Sequence, residues 1–385
     1  MNFAPIEETP ELRRLAEEYA ELLGADWSPS PLELSLDHDR PDVDLVERFA
    51  ERGWMSPENP PEQGGAGLGP VEARLLHLLH DEFRVPEYDN NLIVPTLRKH
   101  GSPRLHAEIL PGLESGRATF SLGYSEPDSG SDMAAARTRA VRDGDDWVIN
   151  GSKMFTTWAE TSDYLFMLAR TGTVEEKHAG LTVFLVPMSS EGIEVRAIHV
   201  MGHVRTNVTY YRNVRIPDDF RIGEVGAGWA VVAEPLAAEH GAGAALPLAD
   251  LNGVMAATFT RVLERLVERT VDWAVAAGPD GTSPIDDPEV RNRLLDAIVD
   301  IEVCWAAPGD YGKVVAAGAL QHHADRLLDL TAPWGLLSAG TPGSAVDGLL
   351  AWARDFAPAA DVYGGTSEIY RNNLARRSLG LPRPR

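Results

Sequence analysis

The spacing of apolar residues changes twice along the chain, and this limits the fold more than any other feature of the sequence. Up to about residue 117, apolar residues recur at helical spacing, as in ELRRLAEEYAELLG (11–24) and VEARLLHLLHDEF (71–83). From residue 118 to about 222, short runs rich in β-branched and aromatic residues are separated by turn residues, as in strands. Helical spacing returns at residue 223 and continues to the end.

The sequence therefore predicts a multidomain α+β fold. Its parts are an N-terminal α-helical domain (1–117), a central β-domain (118–222) and a C-terminal helical bundle (223–385). A length of 385 residues is enough for two or three domains that each bury a core.

A β-hairpin is predicted at the start of the central domain. The segment TRAVRDGDDWVING (138–151) places Asp143 and Gly144 in a turn, with Val148 and Ile149 on the returning strand. Three further strands are predicted in DYLFMLART (163–171), GLTVFLVPM (180–188) and IEVRAIHV (193–200).

Composition and charge argue against several functional classes. The formal net charge of -23 opposes binding to nucleic acid or to an anionic membrane. No apolar run approaches membrane-spanning length, and MNFAPIEETPELRR (1–14) lacks the order of a secretion signal, so we expect a cytoplasmic protein. The single cysteine, Cys304, excludes an intramolecular disulfide and a cysteine metal cluster. Its neighbours favour a small buried residue, and we expect no metal site.

The first segment that suggests chemistry is GYSEPDSGSDMAAARTRA (123–140). It places Ser125, Ser129 and Ser131 among glycines and a proline. Small residues let the backbone approach a ligand closely, and hydroxyl and N–H groups offer hydrogen bonds to its heteroatoms. Taken alone, the segment favours an ordinary polar loop.

Two further segments suggest chemistry. NGSKMFTTWAETSDY (150–164) sets Phe155 and Trp158 beside two threonines. Aromatic and hydroxyl groups in this arrangement suit a flat heteroaromatic cofactor, but they also suit a core strand. YGGTSEIYR (363–371) combines a glycine turn with the start of a helix.

In this order and spacing, these segments resemble the acyl-CoA dehydrogenase family over nearly the whole chain. GWMSPENPPEQGGAGLG (53–69) is similar to the family's N-terminal loop, and GYSEPDSGSD (123–132) to its flavin and substrate signature. NGSKMFTT (150–157) is similar to the strand against the flavin, and YGGTSEIYRNNLARRSLGLPR (363–383) to the C-terminal signature. The family fold has an N-terminal helical domain, a central β-barrel domain and a C-terminal four-helix bundle. This order agrees with the spacing of apolar residues.

The resemblance implies a specific reaction. Members of this family hold FAD and remove hydrogen from Cα and Cβ of an acyl-CoA thioester, which leaves a 2-enoyl-CoA. A carboxylate takes the Cα proton, and flavin N5 accepts hydride from Cβ. An electron-transferring flavoprotein usually accepts the electrons.

Roles for individual residues follow from the resemblance. The matching positions imply contacts to the flavin or the thioester arm from Leu122, Tyr124, Ser125 and Ser131, where Ser125 replaces a common threonine. They imply contacts near flavin N5 from Phe155 and Thr157, and contacts to the flavin or its pyrophosphate from Thr366 and Glu368. Arg371 and Arg376 could meet CoA phosphates, together with Ser131 as a substrate contact, or be surface arginines near a helix end.

The position of the catalytic base departs from the commonest pattern. Many relatives have a glutamate just before the Gly-Thr of the C-terminal signature, and here that position is Gly364. A subset that includes isovaleryl-CoA dehydrogenase carries its base ten positions beyond the residue that follows a Gly-x-Gly turn. The turn here is followed by Trp229, so the resemblance implies that Glu239 is the base. The backbone N–H of Gly364 is then expected to stabilise the developing enolate at the thioester oxygen.

Helix geometry supports the same glutamate. At about 100° per residue, Trp229, Val232, Leu236 and Glu239 share one apolar face, and Glu234 lies on roughly the opposite side. Burial of a carboxylate on such a face raises its pKa toward a value useful for a general base. Without the resemblance, Glu239 would be interpreted as a solvated helix residue.

Two departures concern the neighbouring subunit. Relatives have an Arg-x-x-Phe-Gly segment that reaches the neighbour's FAD, and the matching positions here are Ala277 and Asp280. Relatives also have a Gln-x-x-Gly-Gly segment, whereas LLSAGTPGS (336–344) has no glutamine. One interpretation is compensation by nearby residues in a homo-oligomer. The other is an α2β2 heterotetramer, as in steroid-degrading actinobacterial members, in which a second acyl-CoA dehydrogenase subunit supplies the missing contacts.

Three questions stay open at this point. The fold also hosts flavin oxidases and monooxygenases, and a non-catalytic subunit of a heteromer is a further alternative. A base on the earlier helix favours a bulky acyl group, which includes branched, long-chain and steroid-derived groups.

Overall fold

The computed structural model describes residues 9–24, 43–83, 92–203, 205–239, 254–276, 278, 281–307 and 309–382. It has the three-part α+β architecture that the sequence predicts, with helices, then a sheet, then helices. The N-terminal helices are α1 (Pro10–Leu23), α2 (Val43–Glu51), α3 (Pro70–Phe83), α4 (Val94–His100) and α5 (Leu110–Glu114). The predicted helical segments 11–24 and 71–83 correspond to α1 and α3.

The sequence explains where α1 begins and ends. The Thr9 hydroxyl accepts a hydrogen bond from Leu12 N at 3.2 Å, and Pro10 occupies the first helical position, where its missing N–H has no cost. Gly24 follows the last turn with a φ of 89°, which a side chain would oppose.

The central domain is a sheet of eight strands. The strands are β1 (Phe120–Gly123), β2 (Arg139–Asp143), β3 (Asp146–Met154), β4 (Tyr164–Arg170), β5 (Leu181–Pro187), β6 (Ile193–His199), β7 (Arg205–Pro217) and β8 (Arg221–Ile222). Their order is β6-β7-β3-β2-β4-β5-β8, and β1 pairs in parallel with β4. The strands predicted in 163–171, 180–188 and 193–200 correspond to β4, β5 and β6.

The predicted hairpin is present, with its turn one residue later than expected. Asp143 pairs with Asp146, so the two loop residues are Gly144 and Asp145 rather than Asp143 and Gly144. Gly144 has a φ of 65°, and a glycine at the first loop position is typical of a type II′ turn, whose twist matches that of the strands. Val141 pairs with Val148 on the returning strand.

The C-terminal part is helical. Its helices are α6 (Gly228–Glu239), α7 (Val254–Val275), α8 (Pro288–Ala306), α9 (Gly309–Thr331), α10 (Leu349–Phe356) and α11 (Ser367–Asn373). A hydrophobic core joins α7, α8, α9 and α10, and it includes Cys304, which is buried as predicted. Within the described residues, no helix combines the length and apolar character needed to cross a bilayer.

The sheet and the helical bundle meet at a close backbone contact. A Cβ added to Gly202 would lie 2.6 Å from Cα of Phe356 on α10, and Gly202 has a φ of 76°. Only glycine satisfies both conditions. The boundaries at 117/118 and 222/223 stay predictions.

Candidate active site

The helix with the candidate base begins directly against the sheet. Gly226 has a φ of 82°, and its N–H donates to Oγ1 of Thr182 on β5 at 2.9 Å. A Cβ on Gly228 would lie 2.7 Å from backbone atoms of Leu181, closer than real Cβ atoms approach. The two glycines of the Gly-Ala-Gly turn therefore fix where α6 starts.

The buried face of α6 is not centred where the sequence predicts. Val231 and Val232 belong to the core of the sheet domain, and Pro235 is buried beside them. Trp229 is 37% exposed, and its ring packs on that of His178 with centroids 4.2 Å apart. The expectation that Trp229 lies on the inward face is therefore wrong, because the indole covers a neighbouring loop and does not enter the core.

The two carboxylates of α6 occupy different positions. Glu239 is the last residue of the helix, and its side chain lies outside the described residues. At about 100° per residue, its helical position falls between those of Val232 and Pro235, on the buried side. Glu234 Oε2 lies 3.6 Å from Lys99 Nζ, and its side chain is 39% exposed. This rival carboxylate is thus placed in an ion pair at the edge of the helix.

A buried ion pair joins the polar loop after β1 to strand β3. Lys153 Nζ lies 2.8 Å from Glu126 Oε1, and both residues are buried. The Glu126 carboxylate also accepts hydrogen bonds from Arg137 N at 2.7 Å and Thr138 N at 2.9 Å. Burial alone would raise the pKa of Glu126, but the charge of Lys153 and these donors lower it below its ordinary value. The carboxylate is therefore held in its charged form.

This ion pair holds predicted cofactor contacts against the sheet. Lys153 Nζ donates to the carbonyl oxygen of Tyr124 at 3.2 Å, and Met154 N donates to that of Ser125 at 2.9 Å. Leu122 is in register with Phe166 on β4, and the Tyr124 ring stands edge-on to that of Phe166 with centroids 6.1 Å apart. Tyr124 and Ser125 are thus brought beside the end of β3, and Leu122 lies beside β4.

The segment after β3 presents an open aromatic surface. Phe155 has a φ of 59° and Trp158 a φ of 64°, a backbone conformation that is costly for bulky residues. Phe155 is 56% exposed. Hydrogen bonds hold this segment to β7, from Thr156 N to Asn207 O at 3.0 Å and between the hydroxyls of Thr157 and Thr206 at 3.4 Å.

Two buried hydroxyls, one in the loop after β1 and one next to Phe155, lack partners. Thr156 Oγ1 and Ser129 Oγ are buried and have no hydrogen-bond partner among the described residues. Buried polar groups are normally satisfied. The exposed ring of Phe155 next to the unsatisfied hydroxyl of Thr156 suits a flat ligand that carries hydrogen-bonding heteroatoms. The residues present therefore fit the isoalloxazine ring of a flavin.

The C-terminal turn depends on two glycines. Gly364 has a φ of 64° and Gly365 a φ of 94°, in the region that favours glycine. The hydroxyl of the buried Tyr370 donates to the carbonyl oxygen of Gly364 at 2.9 Å. The turn is thus fixed from the helix that follows it.

The remaining predicted contacts lie around this turn and on the surface. Thr366 is the N-cap of α11, and its hydroxyl accepts from Ile369 N at 3.4 Å. Glu368 and Arg371 are exposed and lie 3.8 Å apart in an ion pair with each other. Ser131 and Arg376 are also exposed, and among the described residues their side chains make no hydrogen bond or ion pair.

Three residues of this site were not predicted from the sequence. They are Glu126, Lys153 and Tyr370. Lys153 had a signal that could have identified it, because it lies on the inward face of β3 in phase with the buried Trp147 and Ile149. The predicted trans positions Ala277 and Asp280 lie outside the described residues. Among the described residues, no group of three or more His, Cys, Asp or Glu could hold a metal ion.

Comparison with known proteins gives a consistent result. The acyl-CoA dehydrogenase N-terminal domain matches residues 9–117, and the acyl-CoA dehydrogenase middle domain matches residues 121–213. The acyl-CoA dehydrogenase IpdE1 from Mycobacterium tuberculosis is 33% identical over 355 residues, which cover 88% of this chain and 87% of that protein.

Two solved structures share the whole fold. The ChsE4-ChsE5 complex from Mycobacterium tuberculosis matches with a TM-score of 0.82 and 27% identity, and it covers 99% of this chain and 100% of that one. The Tcur3481-Tcur3483 steroid ACAD matches with a TM-score of 0.83 and 27% identity, and it covers 99% of this chain and 100% of that one.

Proposed function

Because the chain belongs to the acyl-CoA dehydrogenase family of oxidoreductases, we propose that it catalyses the FAD-dependent α,β-dehydrogenation of an acyl-CoA thioester to the 2-enoyl-CoA. The observation that carries this proposal is the buried Glu126–Lys153 ion pair. It ties the loop with Tyr124 and Ser125 to the strand that leads into Phe155, and these are segments that the resemblance assigns to the flavin.

The residues that would hold FAD come from three segments. Leu122, Tyr124, Ser125 and Ser131 would contact the flavin from the loop after β1, Phe155 and Thr157 would contact the ring from the end of β3, and Thr366 and Glu368 would contact it from the C-terminal turn. When bound, FAD supplies the acceptor for two electrons and the hydrogen from Cβ. The unsatisfied hydroxyl of Thr156, next to Phe155, supports a polar heterocycle at this position.

The proton at Cα requires a base from this chain. We assign it to Glu239, since Gly364 has no side chain and Glu234 is engaged by Lys99. The Gly364 N–H would donate to the thioester oxygen, which gains negative charge as the proton leaves. A fixed N–H is effective here because it needs no reorganisation during the reaction.

The acyl group is proposed to be bulky, and steroid-derived groups are included. The base on the earlier helix supports this, as does the likeness to a structure described as a steroid ACAD. Ser131, Arg371 and Arg376 are proposed contacts for the CoA part. An electron-transferring flavoprotein is the proposed electron acceptor.

The assembly is proposed to be oligomeric, through the bundle. On α8, four apolar side chains at helical spacing are exposed, namely Leu295, Ile298, Val299 and Val303. An apolar stripe of this kind is typical of a surface covered by another subunit. The partner is a second copy or, as the substitutions at Ala277 and Asp280 and the likeness to the ChsE4-ChsE5 complex favour, a second acyl-CoA dehydrogenase subunit in an α2β2 heterotetramer.

The visible spectrum of the purified chain tests the proposed function. A yellow protein should lose its flavin absorbance under anaerobic conditions when isovaleryl-CoA, palmitoyl-CoA or a steroid side-chain acyl-CoA is added. Rapid reoxidation in air would instead favour a flavin oxidase or monooxygenase. A protein that stays colourless with FAD, both alone and with a co-expressed second subunit, would favour a non-catalytic subunit.

A further inference from the structure

Two of the four lysines in the sequence are wholly buried. The chain uses lysine sparingly, because the other 31 of its 35 basic residues are arginines. One buried lysine, Lys153, pairs directly with Glu126. The other is Lys313 on α9, and it lies beneath the C-terminal turn with a very different set of partners.

The partners of Lys313 are weak for a buried ammonium group. Its Nζ donates to the Ser367 hydroxyl at 3.4 Å and lies 5.1 Å from the centroid of the Tyr370 ring. Ser367 and Tyr370 are as fully buried as Lys313 itself. A long hydrogen bond and a ring face compensate only part of the cost of removing an ammonium group from water.

Both partners of Lys313 lead to the glycine turn. The Ser367 hydroxyl donates to Asp361 Oδ1 at 2.5 Å, and Gln321 Nε2 on α9 donates to Asp361 Oδ2 at 2.8 Å. Asp361 immediately precedes the turn 362–366, and Ser367 immediately follows it. Tyr370 donates to the carbonyl oxygen of Gly364 in the middle of the same turn. The turn is therefore held at both ends and at its centre.

We propose that Lys313 is a positioning residue, which holds the turn 362–366 through Ser367 and Tyr370 in the conformation that presents the Gly364 N–H to the substrate. This inference rests on the proposed function. A positive charge at this position polarises the Ser367 hydroxyl toward Asp361 and attracts the face of the Tyr370 ring. An apolar residue of the same length would do neither.

The charge of Lys313 depends on several groups around it. Burial lowers its pKa to about 8, while Asp361 and Glu368 oppose this change and Arg371 adds to it. These three groups and the Tyr370 hydroxyl are the titratable groups that face Lys313 from the segment before the turn and from α11. As pH rises through about 8, the charge on Lys313 is lost, and the hold on the turn weakens.

Above about pH 8, the contribution of Lys313 to the stability of the fold increases while its hold on the turn 362–366 weakens. Since the folded pKa is below the ordinary value of 10.5, the unfolded state binds more protons between these two values, and the contribution of Lys313 to stability rises with pH there. Replacing a poorly paired buried charge by an apolar side chain is likewise neutral or stabilising. If Lys313 only supported the fold, its replacement would lower the stability of the protein and disrupt the turn together.

The test compares Lys313→Met and Ser367→Ala with the wild-type FAD-loaded protein, assembled with its partner subunit if it has one. The probe is acetoacetyl-CoA, whose bound enolate is visible in the near-ultraviolet and carries negative charge on the thioester oxygen. The control is Lys177→Met, which removes an exposed lysine. The fraction of bound enolate is measured from pH 6 to pH 10, and the unfolding temperature of each variant is measured at pH 7.

We expect Lys313→Met to keep or raise the unfolding temperature and to lower the enolisation constant by roughly tenfold, less than the loss of an oxyanion donor itself. Ser367→Ala should lower this constant in the same way. Since enolisation itself is favoured by high pH, the variants are compared with the wild type at each pH. The enolisation constant of Lys313→Met should approach that of the wild type above about pH 8, where the wild type has also lost this charge, and Lys177→Met should match the wild type throughout. A wild-type enolate fraction in Lys313→Met, or its loss together with a lowered unfolding temperature, would overturn the inference. If the wild-type protein binds FAD but no thioester, the proposed function fails as well.

Discussion

The ammonium group of Lys153 lies 2.8 Å from the carboxylate of Glu126, and the two residues are separated by 27 positions in the sequence. Since both are buried, removal of one leaves an uncompensated charge in the sheet domain. We expect Lys153→Met and Glu126→Gln each to lower the free energy of unfolding by about 3–5 kcal/mol. Urea denaturation measures this. The double variant should lose much less than the sum of the two, and additive losses would contradict a direct interaction.

The same ion pair predicts how the free energy of unfolding depends on pH. Although burial opposes it, the charge of Lys153 and the hydrogen bonds to Glu126 lower the folded pKa of this carboxylate below its ordinary value of 4.5. Its contribution to stability is therefore present above pH 4.5 and is lost as pH falls through the lower folded value. Unfolding free energies measured from pH 6 to pH 3 should fall less steeply in Glu126→Gln than in the wild type. Parallel curves would exclude this role for Glu126.

Gly228 should be intolerant of a side chain. A Cβ at this position would lie 2.7 Å from the backbone of Leu181, so alanine must displace α6 from the sheet. We expect Gly228→Ala to destabilise the protein by about 1–3 kcal/mol and to slow flavin reduction, since Glu239 is on the displaced helix.

Gly318 provides the matched control for this change. It is exposed on α9, and a Cβ there would meet no atom within 4 Å. Because alanine restricts the unfolded chain and favours helix, Gly318→Ala should raise stability by about 0.5–1 kcal/mol. Equal effects of the two substitutions would show that the contact between α6 and β5 is not what constrains Gly228.

The apolar stripe on α8 should be a subunit contact. Val299 is 60% exposed in the middle of this stripe, so Val299→Glu should leave the fold of one chain intact and dissociate the oligomer. Size-exclusion chromatography with detection at the flavin absorbance checks this. Val174→Glu is the control, because Val174 is 52% exposed but lies in a loop of the sheet domain. Unchanged elution of Val299→Glu would rule out α8 as the interface.

The partner can be identified in the same experiment. A heterotetramer predicts that the isolated chain binds FAD weakly, and that co-expression with a second subunit carrying Arg-x-x-Phe-Gly yields one flavin for each pair of unlike chains. A homo-oligomer with one tightly bound FAD per subunit would leave compensation by other residues as the explanation.

Elements with a clear period were predictable from the sequence, whereas contacts between distant segments were not. The helices over 11–24 and 71–83 and the strands β4 to β6 follow from local spacing alone. The hairpin turn was placed one residue early because register depends on strand pairing. Helical spacing predicted that Trp229 lies on the buried face of α6. In the structure, α6 packs on the sheet through Val231 and Val232, and the indole covers His178 instead. The roles of Glu126 and Lys313 depend on partners 27 and 54 positions away, which no local pattern reveals.

The assignment of the base to Glu239 is the central claim, and rapid anaerobic mixing with an acyl-CoA tests it most directly. The wild type, Glu239→Gln and Glu234→Gln are loaded with FAD, and the loss of flavin absorbance is followed after mixing. Glu239→Gln should still bind FAD and reduce it more slowly by roughly 10²- to 10⁴-fold, the usual loss when a general base is removed. Glu234→Gln should reduce flavin at close to the wild-type rate, because Glu234 is engaged by Lys99. Near wild-type reduction in Glu239→Gln, together with loss in Glu234→Gln, would contradict the account.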